Sequence, residues 1–120
     1  LAVQGHKVFA GIRDPQGRNV HKSTALSEYV ERNGGKVNIV DLDIHLEDSC
    51  QKAADKVIEK EGSIDVLIHN AAHLFIGYSE AFTPEQIASS VNTNVLGAHR
   101  LNRATLPFMR KQKRGLILYV

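Results

Sequence analysis

At 120 residues the chain is at most one domain, and its 42% apolar and 23% charged residues make a globular protein rather than a disordered one. Fifteen Lys and Arg against thirteen Asp and Glu leave a net charge of +2, too even for a nucleic-acid or anionic-membrane footprint. Cys50 is the only cysteine, so no internal disulfide forms and nothing points to an oxidising compartment.

The opening Leu1-Ala2-Val3-Gln4-Gly5 has neither an initiator Met nor the shape of a signal peptide. It reads as the end of a helix, with Gly5 as C-terminal cap. Lys7–Ile12 is short, apolar and bounded by Gly5 and Arg13-Asp14-Pro15, which predicts a strand. Asp14-Pro15-Gln16-Gly17 is a turn signal. Ser23–Arg32 carries Ala25, Leu26, Tyr29 and Val30 at helical spacing and is stopped by Asn33-Gly34-Gly35. Val37–Asp43 alternates as a second strand. Leu46–Glu61 is helical, with Cys50, Ala53, Ala54, Val57 and Ile58 on one face and Gly62 as the stop.

Ile64–His69 is a third strand, apolar at nearly every position, as in a parallel strand covered on both faces. Thr83-Pro84-Glu85-Gln86 opens a helix: Thr83 can cap, Pro84 suits the first helical position and Gln86 completes a capping box. That helix is expected to run to about Lys113, bent near Pro107. Gly115–Val120 is a last strand with no turn after it, and both ends of the chain look cut. No apolar run approaches the roughly 20 residues of a membrane span.

Alternation of strand and helix predicts α/β architecture, a doubly wound parallel sheet with right-handed crossovers. Ligands of such sheets sit at the carboxyl ends of the strands. After the first strand stands Arg13, which either is solvated in its turn or receives the 2′-phosphate of a dinucleotide. After the second stands Asp43, with Asp41 two residues earlier on the same side. Asp43 either accepts a hydrogen bond from an adenine amino group or caps the helix that follows. After the third comes Asn70-Ala71-Ala72, either a small-residue turn or a place where a ligand approaches the backbone. His69 and His73 stand four apart in a non-helical stretch, so no metal site is expected.

In the long helix Ile87, Val91, Ala98 and Leu101 form an apolar stripe, and Asn94 falls on it. A buried amide left unpaired costs about 1–3 kcal/mol. Asn94 therefore either is a satisfied core amide or distorts the helix to make a polar contact, whereas Asn92 and Asn102 lie off the stripe and are expected to be exposed. The basic run Arg110–Arg114 suits the negative end of the helix dipole better than nucleic acid.

Three segments, in order and in register, resemble the short-chain dehydrogenase/reductases over essentially positions 1–120. Ile64–Ala72 resembles the Asp-x-Leu-x-x-Asn-Asn-Ala-Gly segment, Asn94-Val95-Leu96-Gly97 with Ala98 and Arg100 the Asn-Val-x-Gly helix motif, and Gly115–Val120 the strand leading to Ser-Ser. The resemblance implies a partial, Rossmann-like dinucleotide-binding domain that lacks its first strand and C-terminal part. In the order 3-2-1-4-5-6 that absent strand lies between the first and third strands seen here. The sheet should then be interrupted there by roughly 10 Å, leaving the chain unstable or closing in another order.

The resemblance further implies hydride transfer between NADP(H) and a carbonyl or secondary alcohol, in a cytoplasmic protein. Asn94 matches the asparagine of the Asn-Ser-Tyr-Lys tetrad, which bends its helix to hold a water in a proton relay. Asn70 would steady the sheet, with Ala71 and Ala72 against the cofactor. Asp43 matches the adenine-binding acid and Arg13 the basic residue of NADP-preferring members, while Ile12 stands where NAD-preferring members place an acid. His69 and Ala72 depart from the pattern, replacing Asn and Gly. The glycine-rich pyrophosphate loop, the Ser and Tyr-x-x-x-Lys do not occur here, so the 120 residues alone are expected to be inactive. Members form dimers or tetramers through the long helix, and its stripe fits that as well as packing on its own sheet. The alternative is a non-catalytic relative that binds a nucleotide or a partner. A phosphoacceptor signalling domain is disfavoured, because its central strand would end in an acceptor Asp.

Overall fold

The computed structural model describes residues 1–120, and in it the predicted strands and helices recur in the predicted order. Contacts divide the chain into two units, Leu1–Asp43 and Ile44–Val120.

In the first unit, Ala2–Gln4 is a 3₁₀ turn closed by Gly5 in the left-handed conformation (φ 89°), which costs a residue without Cβ little. β1 (Val8–Ile12) and β2 (Val37–Asp41) pair in parallel, from Val8 opposite Val37 to Ile12 opposite Asp41. The crossover between them is α1 (Val20–Arg32), which starts three residues earlier than Ser23. Val20–Lys22 carry no apolar periodicity, and Asn19, the residue before the helix, spends its side chain elsewhere. Val30, Val40 and Ser23 are buried, and the Ser23 hydroxyl is satisfied by the carbonyls of Pro15 and Val20.

In the second unit, α2 (Glu47–Glu61) buries Cys50, Ala53 and Ala54 and ends on Gly62 at φ 76°. The small buried side chains let α2 lie close to α4 (Ala98–Gln112), whose Leu101, Ala104, Thr105 and Met109 are buried. β3 (Val66–His69) and β4 (Leu116–Tyr119) pair in parallel, Val66 opposite Leu116 and His69 opposite Tyr119. The expectation that the third strand is covered on both faces is corrected. Val66, Ile68, Leu116 and Leu118 are exposed, while Leu67, His69 and Ile117 on the α4 face are half-buried. A two-stranded sheet with its helices on one side hides only alternate residues.

The four strands thus make two parallel pairs in separate sheets, β1 with β2 and β3 with β4. No helix is long and apolar enough to cross a membrane.

The predicted long helix is three segments in sequence: α3 (Pro84–Val91), a π-helical segment (Asn92–Gly97) and α4. The distortion lies at Asn92–Gly97, and Pro107 sits inside α4 without ending it. The expected apolar stripe is corrected too. Ile87 and Val91 are 48% and 46% exposed and Asn94 is exposed, whereas Thr93, Gly97 and Leu101 are buried. A π turn takes up one extra residue, which rotates everything before it relative to the helix that follows.

α3 begins with the expected capping box. The Gln86 amide donates to Thr83 Oγ1 and the Thr83 amide to Gln86 Oε1. Hydrogen bonds from its own backbone and from the Thr83 hydroxyl hold the Glu85 carboxyl below the ordinary 4.5. A lowered carboxylate stabilises the fold above its unfolded pKa and loses that contribution as pH falls through the folded one. Thr83→Ala should cost about 1 kcal/mol in urea unfolding at neutral pH, with the difference from the parent shrinking as the pH drops below 4.5.

Candidate active site

The first cluster is built where β1 and β2 end. Asp14 leaves β1 at φ 48°. Its amide donates to Asp41 Oδ1 (3.0 Å), and its own carboxylate accepts the Arg18 amide (2.8 Å). Asn19 Nδ2 donates to the Arg13 carbonyl (2.6 Å), so the turn after β1 is tied at both ends. Parallel register then brings two of the sequence-predicted residues together: Arg13 Nη1 lies 4.0 Å from Asp43 Oδ2, with side chains 49% and 23% exposed. A pair at that separation and exposure is worth about 0–1 kcal/mol and leaves Arg13 presenting donors to solvent. The two acids therefore divide the work, Asp41 fixing the turn and Asp43 facing the guanidinium. Asp14 and Asn19 were missed in the sequence; the Asp-Pro turn marked the place, but not which side chains tie it.

The second cluster is built at the carboxyl end of β3 and on the π segment. Asn70, Ala71 and Ala72 follow β3 directly and are exposed. The next residue, His73, is gripped by Asn94 along its backbone: its amide donates to Asn94 Oδ1 and its carbonyl accepts from Asn94 Nδ2, both at 2.8 Å. Asn94 Nδ2 also donates to Ser90 Oγ (3.3 Å), and the Ser90 hydroxyl donates to the same His73 carbonyl (3.3 Å). Of the two alternatives for Asn94, the distorted helix with a polar contact is the one found. The core amide is not, because the side chain is exposed. An amide offers two donors and two lone pairs; these contacts use both donors and one lone pair.

Other residues brace the π segment. His45 Nε2 meets Thr93 Oγ1 at 2.9 Å, and Thr93 Oγ1 donates to the Ser89 carbonyl (3.1 Å). Gly97 faces Ile44 so closely that a Cβ would lie 2.7 Å from Ile44 Cδ1 and 3.0 Å from Cγ1. Gly97→Ala should therefore destabilise the protein by about 1–3 kcal/mol, read from its unfolding midpoint.

Asn92 and Asn102 are corrected from exposed to half-buried and bonded. Asn92 accepts from Arg100. Asn102 takes His69 Nε2 at 2.8 Å and donates to the Tyr119 hydroxyl at 2.8 Å, with the His69 and Tyr119 rings stacked at 4.7 Å. The His69 ring is thus engaged with β4 and α4, while His73 is held by its backbone. The basic run behaves as a helix end, with Arg110, Lys111 and Lys113 exposed and Arg114 3.2 Å from Asp65.

A family model described as short chain dehydrogenase matches residues 1–120, the whole chain. The chain belongs to the short-chain dehydrogenase family. It is 32% identical over 120 residues to a 3-ketodihydrosphingosine reductase of Bacteroides thetaiotaomicron, covering all of this chain and 39% of that protein. It is 33% identical over 117 residues to the 17-beta-hydroxysteroid dehydrogenase type 1 of Homo sapiens, covering 96% of this chain and 34% of that one. The crystal structure of a metagenomic short-chain oxidoreductase in complex with NADP superposes with a TM-score of 0.81 at 27% identity, covering 98% of this chain and 52% of the other. This short-chain dehydrogenase chain therefore spans between a third and two fifths of the length of these curated relatives. The Rossmann-like α/β fold and membership of an oxidoreductase family that uses a nicotinamide cofactor are established on this footing.

Proposed function

We propose that the protein to which these residues belong transfers a hydride between NADP(H) and a carbonyl or secondary alcohol. The observation that carries the reading is Asn94, set in a π turn and clamped to His73 beside Asn70-Ala71-Ala72. π turns concentrate at functional sites because they cost regular hydrogen bonding, and here one coincides with the residue that matches the family's catalytic asparagine.

The groups present fit a phosphorylated dinucleotide. Arg13 is always charged and half exposed at the carboxyl end of β1, where its forked donors suit a 2′-phosphate. Asp43 beside it can accept from an adenine amino group. Ala71 and Ala72, exposed after β3, leave room for the cofactor to pass, and Asn70 steadies the strand end. When bound, the nicotinamide supplies or takes up the hydride. The lone pair left on Asn94 Oδ1 can accept from a water, which passes a proton towards the substrate oxygen. The Ser and Tyr-x-x-x-Lys of the family mechanism are not found in this sequence, so the 120 residues by themselves are read as inactive. Both units are read as parts of one dinucleotide-binding domain. A cytoplasmic setting is part of the same reading.

The test is turnover of the intact protein with a panel of ketones, aldehydes and secondary alcohols, following the absorbance of the reduced nicotinamide. Oxidation of NADPH by a carbonyl, or reduction of NADP by an alcohol, is expected. Tight NADPH binding with no turnover on any member of the panel would replace the enzyme by a non-catalytic, nucleotide-binding relative.

A further inference from the structure

We propose that Arg100 is a positioning residue which, through Asn92, holds the π turn open and thereby sets Asn94. The inference rests on the reading that Asn94 takes part in turnover. Arg100 Nη2 donates to Asn92 Oδ1 at 3.0 Å, and Nη1 donates to the Ile44 carbonyl at 3.4 Å. Asn92 opens the π segment, and Arg100 is the third residue of α4 after it.

The spacing makes the bond specific to the π turn. Residues eight apart in an uninterrupted α-helix point about 80° away from one another. One turn closing on its fifth rather than its fourth neighbour absorbs a residue, and the same pair then lies within about 20° of a common face. Arg100, whose side chain leans towards the helix N-terminus, can then reach Asn92. Returning the segment to regular α-helix would swing Asn92 away and cost a charge-assisted hydrogen bond. It would also swing Asn94, two residues on, away from His73. The second guanidinium nitrogen ties the brace to Ile44, the residue that faces Gly97 at the other end of the same segment. Arg100 therefore spans the distortion from its first residue to beyond its last.

The experiment uses the intact protein and two variants, Arg100→Met and Asn92→Ala. The second keeps the Arg100 bond to Ile44 and guards against a general loss of folding. Each is expected to lower kcat by about tenfold, the worth of one hydrogen bond to a charged group, with KM for NADPH unchanged. Each should speed hydrogen exchange at the His73 amide, which Asn94 accepts. In an Asn94→Ala background neither should lower kcat further, because a brace has no effect once the residue it sets is gone. A folded Asn92→Ala protein with parental kcat and His73 exchange overturns the proposal, and so do losses that persist in full without Asn94. Parental activity in Asn94→Ala itself overturns the relay reading first, and this one with it.

Discussion

Replacing Arg13 with glutamate should lower kcat/KM for NADPH by about 30- to 100-fold in the intact protein, the range of a charge-assisted bond to phosphate. The same variant should change kcat/KM for NADH little. The asymmetry follows from geometry. Arg13 meets Asp43 only at 4.0 Å and with its side chain half exposed, so little structure depends on that pair and the guanidinium can turn to a ligand. The two cofactors differ by the one phosphate that Arg13 is assigned. Glutamate also places a carboxylate where an adenosine ribose would offer hydroxyl donors, so NADH has something to gain. The check is steady-state kinetics with both cofactors on the parent and the variant. No loss with either cofactor would show Arg13 to be a solvated turn residue, and equal losses with both would give it a structural role only. Salt should narrow the difference between parent and variant, because an exposed charge pair is screened.

Asn94→Ala should lower kcat by about 100-fold or more, within the range of a lost proton-transfer element, while KM for NADPH stays close to the parent value. Alanine releases the His73 amide and Ser90 Oγ, leaves the His73 carbonyl with its bond from Ser90 alone, and removes the lone pair assigned to the relay water. Asn94→Asp separates the two roles. Aspartate keeps an acceptor for the His73 amide but has no donor for its carbonyl or for Ser90. It should therefore rescue activity only in part, and the kcat profile should shift with pH, because a second titrating group now sits on the relay. Equal kcat in all three proteins across pH would remove Asn94 from the chemistry and leave it as a loop anchor.

Most of the order of elements was readable because it rests on local signals. The capping box at Thr83, the left-handed glycines Gly5 and Gly62 and the short β-branched runs each act within a few residues of themselves. Of the site, the side chains could be named but not their partners. Arg13 and Asp43 are 30 positions apart, and only the parallel register of β1 and β2 makes them neighbours. Asn94 stood out as an amide on an apolar stripe, yet the stripe assumed an unbroken helix. Pro107 was the visible breaker, but the distortion fell at Asn92–Gly97, where no proline marks it. What favours it there is a set of partners outside the segment: His73 for Asn94 and His45 for Thr93, both more than 20 positions away, and Arg100, eight positions on, for Asn92. Asn102 was misjudged for the same reason, since its partners His69 and Tyr119 arrive from two strands.

By itself, then, the sequence determined the alternation of strands and helices, where each begins and ends to within a few residues, and which polar residues stand at strand ends. Those features follow from backbone conformational preference and hydrophobic period, which one stretch of chain carries alone. Tertiary structure decided the pairing of strands into two parallel sheets, the face each strand hides, and the π turn that presents Asn94. Each of these depends on partners 20 or more positions away, and no local pattern records such partners.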